Sequence, residues 1–311
     1  MPKATAPGSV FLFGEHAVVY GYPALVASID RAIEVKADLN RKNVLSITSD
    51  LGSLTTPLSA PPSGGKFRYV VEAVRQVLDY IGEKEGVDLE IKSQLPAASG
   101  LGTSSAVSVA TIAAVSRAMG AKLSKEEIIR LSQKTELAIQ GLASRAGVSA
   151  ATLGGFLVIE GRKIKKIVGQ KVRGIVGWSG IPSQTAELVK QVREMKEKNP
   201  EMVGLIFDFI GEIAKQGVRA LKMGHQKRLG LLMNINHCLL SALKIVPSKV
   251  ERMVAVSRHA GAYGAKITGA GGGGCILVLP GNKEKEVLEA LREVSVKVFP
   301  VELGGEGLRW T

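Results

Sequence analysis

Residues 33–39 alternate apolar and polar side chains (Ile33, Val35, Ala37, Leu39), and residues 44–48 and 87–91 repeat the alternation. Period two predicts half-buried strands. Short apolar runs at 10–13 and 24–29 predict two more, and the stretch 54–65, rich in Pro, Ser and Gly, predicts a loop. Phe67, Val70, Val71, Val74, Leu78 and Ile81 recur at helical spacing. A wholly apolar helix is expected over about 104–119. Ser124-Lys125-Glu126-Glu127 reads as a capping box opening a helix to about 139. Further strands are expected at 154–159, 172–178 and 275–279. Further helices are expected at 186–198, 203–223, 226–243, 248–262 and 283–294. Strands and helices mix without strict alternation, which predicts α+β rather than a doubly wound parallel sheet. The pattern resets near residue 165, so two domains are expected, 1–165 and 166–311.

The composition narrows the class. Among 311 residues, 45% are hydrophobic, 22% charged and only 5% aromatic, which predicts a folded chain with an aliphatic core. The net charge is +13, from 41 Lys and Arg against 28 Asp and Glu. The basic residues are dispersed, with no basic block and no aromatic interleaving, so nucleic acid is not an expected partner. An anionic metabolite fits the charge better. Cys238 and Cys275 have no paired spacing and read as buried small hydrophobes in a reducing compartment. No stretch matches a secretory signal or a membrane span: the uncharged segment 93–116 is interrupted by Pro96 and many serines. No membrane partner and a cytoplasmic location are expected.

Two glycine clusters carry the chemistry. In Pro96-Ala97-Ala98-Ser99-Gly100-Leu101-Gly102-Thr103-Ser104-Ser105 a glycine turn runs into an apolar helix. The first N–H groups of a helix lack internal partners, and the helix dipole makes that end positive. Such a turn predicts a phosphate site, with hydroxyls able to join a Mg²⁺ shell. It is not a Walker A loop, because no Gly-Lys-Ser/Thr occurs in it. The second cluster, Lys266-Ile267-Thr268-Gly269-Ala270-Gly271-Gly272-Gly273-Gly274-Cys275, contains G-x-G-x-x-G. A strand follows it, so a dinucleotide fingerprint is the wrong reading. Its glycine density predicts a backbone that passes close to a ligand. A third element, Phe13-Gly14-Glu15-His16-Ala17-Val18-Val19-Tyr20-Gly21, places a charged pair after an apolar strand; alone it reads as a strand end.

Taken together, APGSVFLFGEHAVVYGYPAL, LPAASGLGTSSAVSVA and KITGAGGGGC, in this order, resemble the motifs of the GHMP kinases. The segments TELAIQGLAS, TLGGF and LLMNINHCLLSAL fit as well, so the resemblance covers nearly the whole chain. The wording FGEHAVVYG is closest to the members that phosphorylate mevalonate. The resemblance implies a two-domain α+β GHMP kinase fold with the active site in the interdomain cleft. It implies transfer of the γ-phosphate of ATP to the 5-hydroxyl of mevalonate or a similar small molecule. By the same resemblance, residues 96–104 would bind ATP, and Ser104 and Glu136 would hold Mg²⁺. Glu15, His16, Thr185, Gly269 and Ala270 would line the substrate pocket. A homodimer is a further expectation that the sequence alone does not decide.

Two positions depart from the pattern. The family's Ala-Pro-Gly-Lys reads Ala6-Pro7-Gly8-Ser9, and the aspartate expected before Thr-x-Gly-Gly is Gly147. A lysine and a carboxylate that act together are both replaced, which leaves the catalytic pair unassigned. Arg145, two residues before Gly147, is a candidate cation for the transferring group. Three readings stay open: a working kinase that relies on positioning, a site retuned to another alcohol or to the 3-oxygen, and a nucleotide-binding protein that no longer catalyses.

Overall fold

The computed structural model describes residues 1–141 and 143–310. Strand β1 (Lys3–Phe13) runs antiparallel to β2 (Ala24–Asn40), with Val10 opposite Ala27 and irregularities at Pro7/Ser9 and Phe11/Phe13. β2 is one strand of 17 residues, not two. Its two ends serve different neighbours. Residues 24–27 pair with β6 (Phe156–Glu160), and residues 33–40 pair with β5 (Gly86–Ser93). Beyond β5 lie β3 (Val44–Ser49) and β4 (Gly52–Pro57), so the expected loop at 54–65 begins as a strand. Beyond β6 lies β7 (Lys163–Ile167).

The second half of the sheet contains β8 (Val172–Trp178), β9 (Gly264–Ile267), β10 (Cys275–Leu279) and β11 (Lys297–Leu303). It joins the first half through β11, where Leu303 faces Ile29 of β2. The short β12 (Arg309–Trp310) returns to pair with β1, so the end of the chain lies against its beginning. Apart from the parallel β3–β5 pair the strands run antiparallel. That pattern, with helices packed on the sheet, is the α+β architecture expected from the sequence.

Helix α1 (Arg68–Ile81) buries Val70, Val71, Ala73, Val74 and Val77 and presents Arg75 to Glu72 and Asp79 on its exposed face. Each fully buried aliphatic side chain contributes about 1.5–3 kcal/mol, against about 0.3–0.5 for such an exposed pair. Helix α2 (Thr103–Ala118) is buried along nearly its whole length. Its Ala, Ser and Val side chains are small enough for it to lie against β1, β2 and α1. It also packs on α3 (Lys125–Gln140) and α4 (Ala146–Leu153). α3 opens with the expected capping box, with Ser124 Oγ accepting from Glu127 N–H. α4 escapes the periodicity because its eight residues, AGVSAATL, are small and mostly buried.

The remaining helices are α5 (Thr185–Lys198), α6 (Pro200–Lys222), α7 (Gln226–Ala242), α8 (Ser248–His259) and α9 (Glu284–Arg292). Gly217 of α6 receives the Phe13 ring of β1, a contact any side chain would block. Cys275 is buried as expected, but Cys238 on α7 is exposed. Among the described residues no helix is long and apolar enough to cross a membrane.

Candidate active site

A cavity of about 930 Å³ lies where the two glycine clusters meet. Ligand pockets typically hold about 300–1,000 Å³, so there is space for a nucleotide with a small second substrate. One side is the first glycine loop, residues 96–104. Ala98 and Gly102 both adopt left-handed backbone angles, φ 50° and 65°, and turn the chain into α2. Gly102 caps α2 without a side-chain hydrogen bond, so no cap side chain competes for the first N–H groups of the helix. Thr103 Oγ1 donates instead to Pro96 O at 3.0 Å, closing the turn on itself. Eight of the nine residues at 96–104 line the cavity. Leu101 does not: it is buried beneath, and its carbonyl accepts from Ser9 N–H at 2.8 Å.

The second glycine cluster, between β9 and β10, has two jobs. Gly269 and Ala270 line the cavity. A Cβ on Gly100 would lie 2.8 Å from Thr268 O, and one on Gly269 would lie 3.0 Å from Gly100 O. The two loops therefore touch backbone to backbone. Residues 271–274 meet protein rather than open cavity. A Cβ at 271 or 273 would lie 2.5 Å from a carbonyl of Ile245 or Ile181, and one at 274 would lie 2.7 Å from Ser99 O. The expectation of a ligand-hugging backbone thus applies to 269–270, and close loop packing accounts for the rest.

Glu15, His16 and Thr185 all reach the cavity. Glu15 and Lys266 form a buried ion pair, and Asn236 Nδ2 donates to the second Glu15 oxygen at 3.2 Å. The same ammonium donates to Ile267 O at 2.6 Å. Burial pushes the Glu15 carboxyl up and the Lys266 ammonium down, and their attraction opposes both shifts. His16 sits at φ 59°, a strained angle for histidine. Its Nε2 lies 2.9 Å from Ala270 O and must carry the proton to bond there. Nδ1 is then a bare acceptor, buried and unpartnered among the described residues. Burial holds this imidazole below the usual histidine range, so it is neutral at pH 7.

Glu136, on α3, contrasts with Glu15. Ser105 Oγ donates to its Oε1 at 2.6 Å and Ser104 Oγ to the same atom at 3.2 Å. Among the described residues neither carboxylate oxygen meets a cation within ion-pair distance. Burial raises this carboxyl above the usual range. A buried carboxylate flanked by hydroxyls is a hard-oxygen donor set, which suits Mg²⁺. No group of three or more His, Cys, Asp or Glu side chains converges as a metal cage among the described residues. An ion here would therefore complete its shell with phosphate oxygens and water, the usual arrangement for Mg²⁺ in nucleotide sites.

Ser9 and Gly147 both line the cavity and bring no charge to it. Arg145 is not among the lining residues, and its guanidinium pairs with Glu126 of α3. Lys66, just before α1, and Arg68, its first residue, are the two lysine or arginine side chains lining the cavity among the described residues. Sequence reading alone missed them, as it missed Asn236, the ion-pair role of Lys266 and the bond from Ser105 to Glu136. Lys266 and Ser105 stand inside the motif strings, where spacing gave no hint of their partners.

Residues 68–155 match the model for the GHMP kinases N-terminal domain, and residues 218–297 match the GHMP kinases C-terminal model. The chain is 40% identical to a mevalonate kinase of Pyrococcus furiosus, over 98% of this chain and 97% of that protein. It is 34% identical to a mevalonate kinase of Saccharolobus solfataricus, over 99% and 98%. The crystal structure of the Methanococcus jannaschii mevalonate kinase superposes with a TM-score of 0.85 at 33% identity, covering 97% of this chain and 98% of that one. The chain belongs to the GHMP kinase family. It is an ATP-dependent kinase of a small molecule.

Proposed function

We propose that this protein transfers the γ-phosphate of ATP to the 5-hydroxyl of mevalonate, giving mevalonate 5-phosphate for isoprenoid precursor synthesis. The observation that carries the reading is the convergence on one cavity of three devices. These are the α2 N-terminus, the Glu136 carboxylate with its two hydroxyls, and the Glu15–His16 wall beside Ala270. The relatives at 34–40% identity over nearly the whole chain support mevalonate as the acceptor.

The roles follow from position. Residues 96–104 receive the triphosphate on the N–H groups that open α2. Lys66 and Arg68 offset its charge at the rim. Glu136 and Ser104 hold Mg²⁺, which when bound neutralises charge on the phosphate oxygens. His16 Nδ1, a bare acceptor, takes a hydrogen bond from an acceptor hydroxyl. Thr185, Gly269 and Ala270 complete the small-molecule pocket.

Phosphoryl transfer depends mainly on positioning and charge stabilisation, whereas a general base contributes typically about 10²–10⁴-fold. A site with Ser9 and Gly147 in place of the Lys/Asp pair therefore keeps most of the means of catalysis. The same two uncharged positions favour a second reading, phosphorylation of the 3-oxygen or of another small alcohol. ATP consumption with and without mevalonate, followed by mass and NMR identification of the product, separates the two. Mevalonate 5-phosphate is the expected product. Phosphate on the 3-oxygen would establish the second reading, and no mevalonate-dependent turnover would overturn the first.

A further inference from the structure

Gly147 is the second residue of α4, and its backbone is not left-handed. Nothing in its own conformation calls for glycine; an ordinary helical position favours alanine. The reason lies across the helix interface. A Cβ built on Gly147 would lie closer than 3.0 Å to Ser105 Oγ, and 3.2 Å from Ser105 Cβ. The Ser105 hydroxyl therefore occupies the space into which any side chain at 147 would grow. It is held there by the 2.6 Å bond to Glu136 Oε1. A hydroxyl-to-carboxylate bond of that length is of the strong, charge-assisted kind. Oε1 takes both serine hydroxyls, and among the described residues Oε2 accepts no hydrogen bond. All four residues, Ser104, Ser105, Glu136 and Gly147, line the cavity.

We propose that Ser105 is a positioning residue that replaces, with an uncharged clamp, whatever side chain position 147 would carry. It fixes Glu136 through Oε1 and leaves Oε2 for the cation. When Ser104 turns its oxygen toward the ion, the Ser105 bond still orients the carboxylate. A hydroxyl at 105 held on Glu136 and a side chain at 147 compete for the same space, so the glycine and the serine form one unit. This rests on the reading of Glu136 and Ser104 as the metal-holding pair. Groups that orient metal ligands commonly change metal affinity by about 10–100-fold when removed.

The test is a double-mutant cycle in the full chain: Ser105→Ala, Gly147→Ala and both together. Each protein is read by thermal unfolding and by Mn²⁺ affinity from electron paramagnetic resonance with a non-hydrolysable ATP analogue. Gly147→Ala alone is expected to lower Tm by about 3 °C or more, because the hydroxyl must be driven off Glu136. In the Ser105→Ala background the same change should be neutral or raise Tm. Ser105→Ala alone should weaken Mn²⁺ binding by about tenfold or more. Mn²⁺ affinity within twofold of the parent would overturn the clamp. So would a Gly147→Ala variant that gains stability in both backgrounds, or a double variant no more stable than Gly147→Ala. Neither readout uses an acceptor alcohol, so failure to phosphorylate mevalonate is distinguishable from failure here. A parent that binds no Mn²⁺ would overturn the metal reading and the clamp with it.

Discussion

Glu15 and Glu136 are two buried carboxylates on the wall of one cavity, and they solve the problem of burial in opposite ways. Glu15 has its countercharge built in: the Lys266 ammonium, with both side chains at most 1% exposed, and an amide donor from Asn236. Glu136 has only the hydroxyls of Ser104 and Ser105. Desolvating an ion costs several kcal/mol unless a partner offsets it. Glu15 is therefore a finished strut that ties the segment after β1 to β9 and α7. Glu136 has no such built-in countercharge, and on the proposed reading a bound cation would supply it. Both carboxylates line the cavity, but only Glu15 has its charge balanced from within the fold.

The largest expected effect breaks the finished half. Lys266→Met strands the Glu15 charge and should cost about 3–5 kcal/mol, a fall in Tm of the order of 10 °C. Adding Glu15→Gln to that variant should recover part of the loss, because the stranded charge is gone. Thermal unfolding of the two variants checks this. A neutral Lys266→Met would mean that Glu15 is no strut.

Glu136→Gln should behave in the reverse sense. It removes an unbalanced buried charge, so Tm should hold or rise. If Glu136 holds the metal as proposed, its loss should lower kcat/KM by about 10²-fold or more, of the order of 3 kcal/mol of transition-state stabilisation. A variant that loses Tm and activity together would erase the contrast with Glu15.

pH sharpens the same comparison. Burial raises the Glu136 carboxyl in the folded state, so its contribution to stability is present in acid and is lost as pH rises through the folded value. Burial lowers His16 and His237. These two cost nothing above the usual histidine value of about 6.5, and they cost progressively more as pH falls below it. Between pH 7 and 5 the histidines destabilise and Glu136 compensates. Glu136→Gln removes the compensation, so that variant should lose more stability on acidification than the parent. Urea midpoints at the two pH values measure it, and parallel curves would contradict the assignment.

The two halves of the comparison were unequally legible in the sequence. The glycine turn into α2 could be read because its pattern is local: a glycine turn, hydroxyls and an apolar helix follow one another within ten residues. The capping box at Ser124 was readable for the same reason. The strut was not, because Glu15 and Lys266 lie 251 residues apart and meet only through the sheet. The Ser105–Gly147 contact crosses a helix interface, and α4 itself has no periodicity to reveal it. The second glycine cluster misled in part, since spacing cannot say whether a backbone is crowded by a ligand or by Ile181, Ile245 and Ser99. Arg145 misled for a different reason. Sequence proximity to Gly147 suggested the cavity, but at the N-cap of α4 its side chain leaves along α3.

Arg145 gives the smallest expected effect and the sharpest test of which cations serve the cavity. Its guanidinium is committed to Glu126, whose side chain is 71% exposed. Exposed pairs of this kind contribute about 0–1 kcal/mol. Arg145→Ala should therefore leave kcat within about threefold of the parent and change stability by less than about 1 kcal/mol. Lys66 and Arg68 do line the cavity, so Lys66→Ala or Arg68→Ala should raise the KM for ATP while Arg145→Ala leaves it unchanged. Steady-state kinetics on the three variants decides between them. A collapse of kcat in Arg145→Ala alone would require that arginine to leave Glu126 and swing into the site during turnover, and the cation missing at Ser9 would then have its substitute.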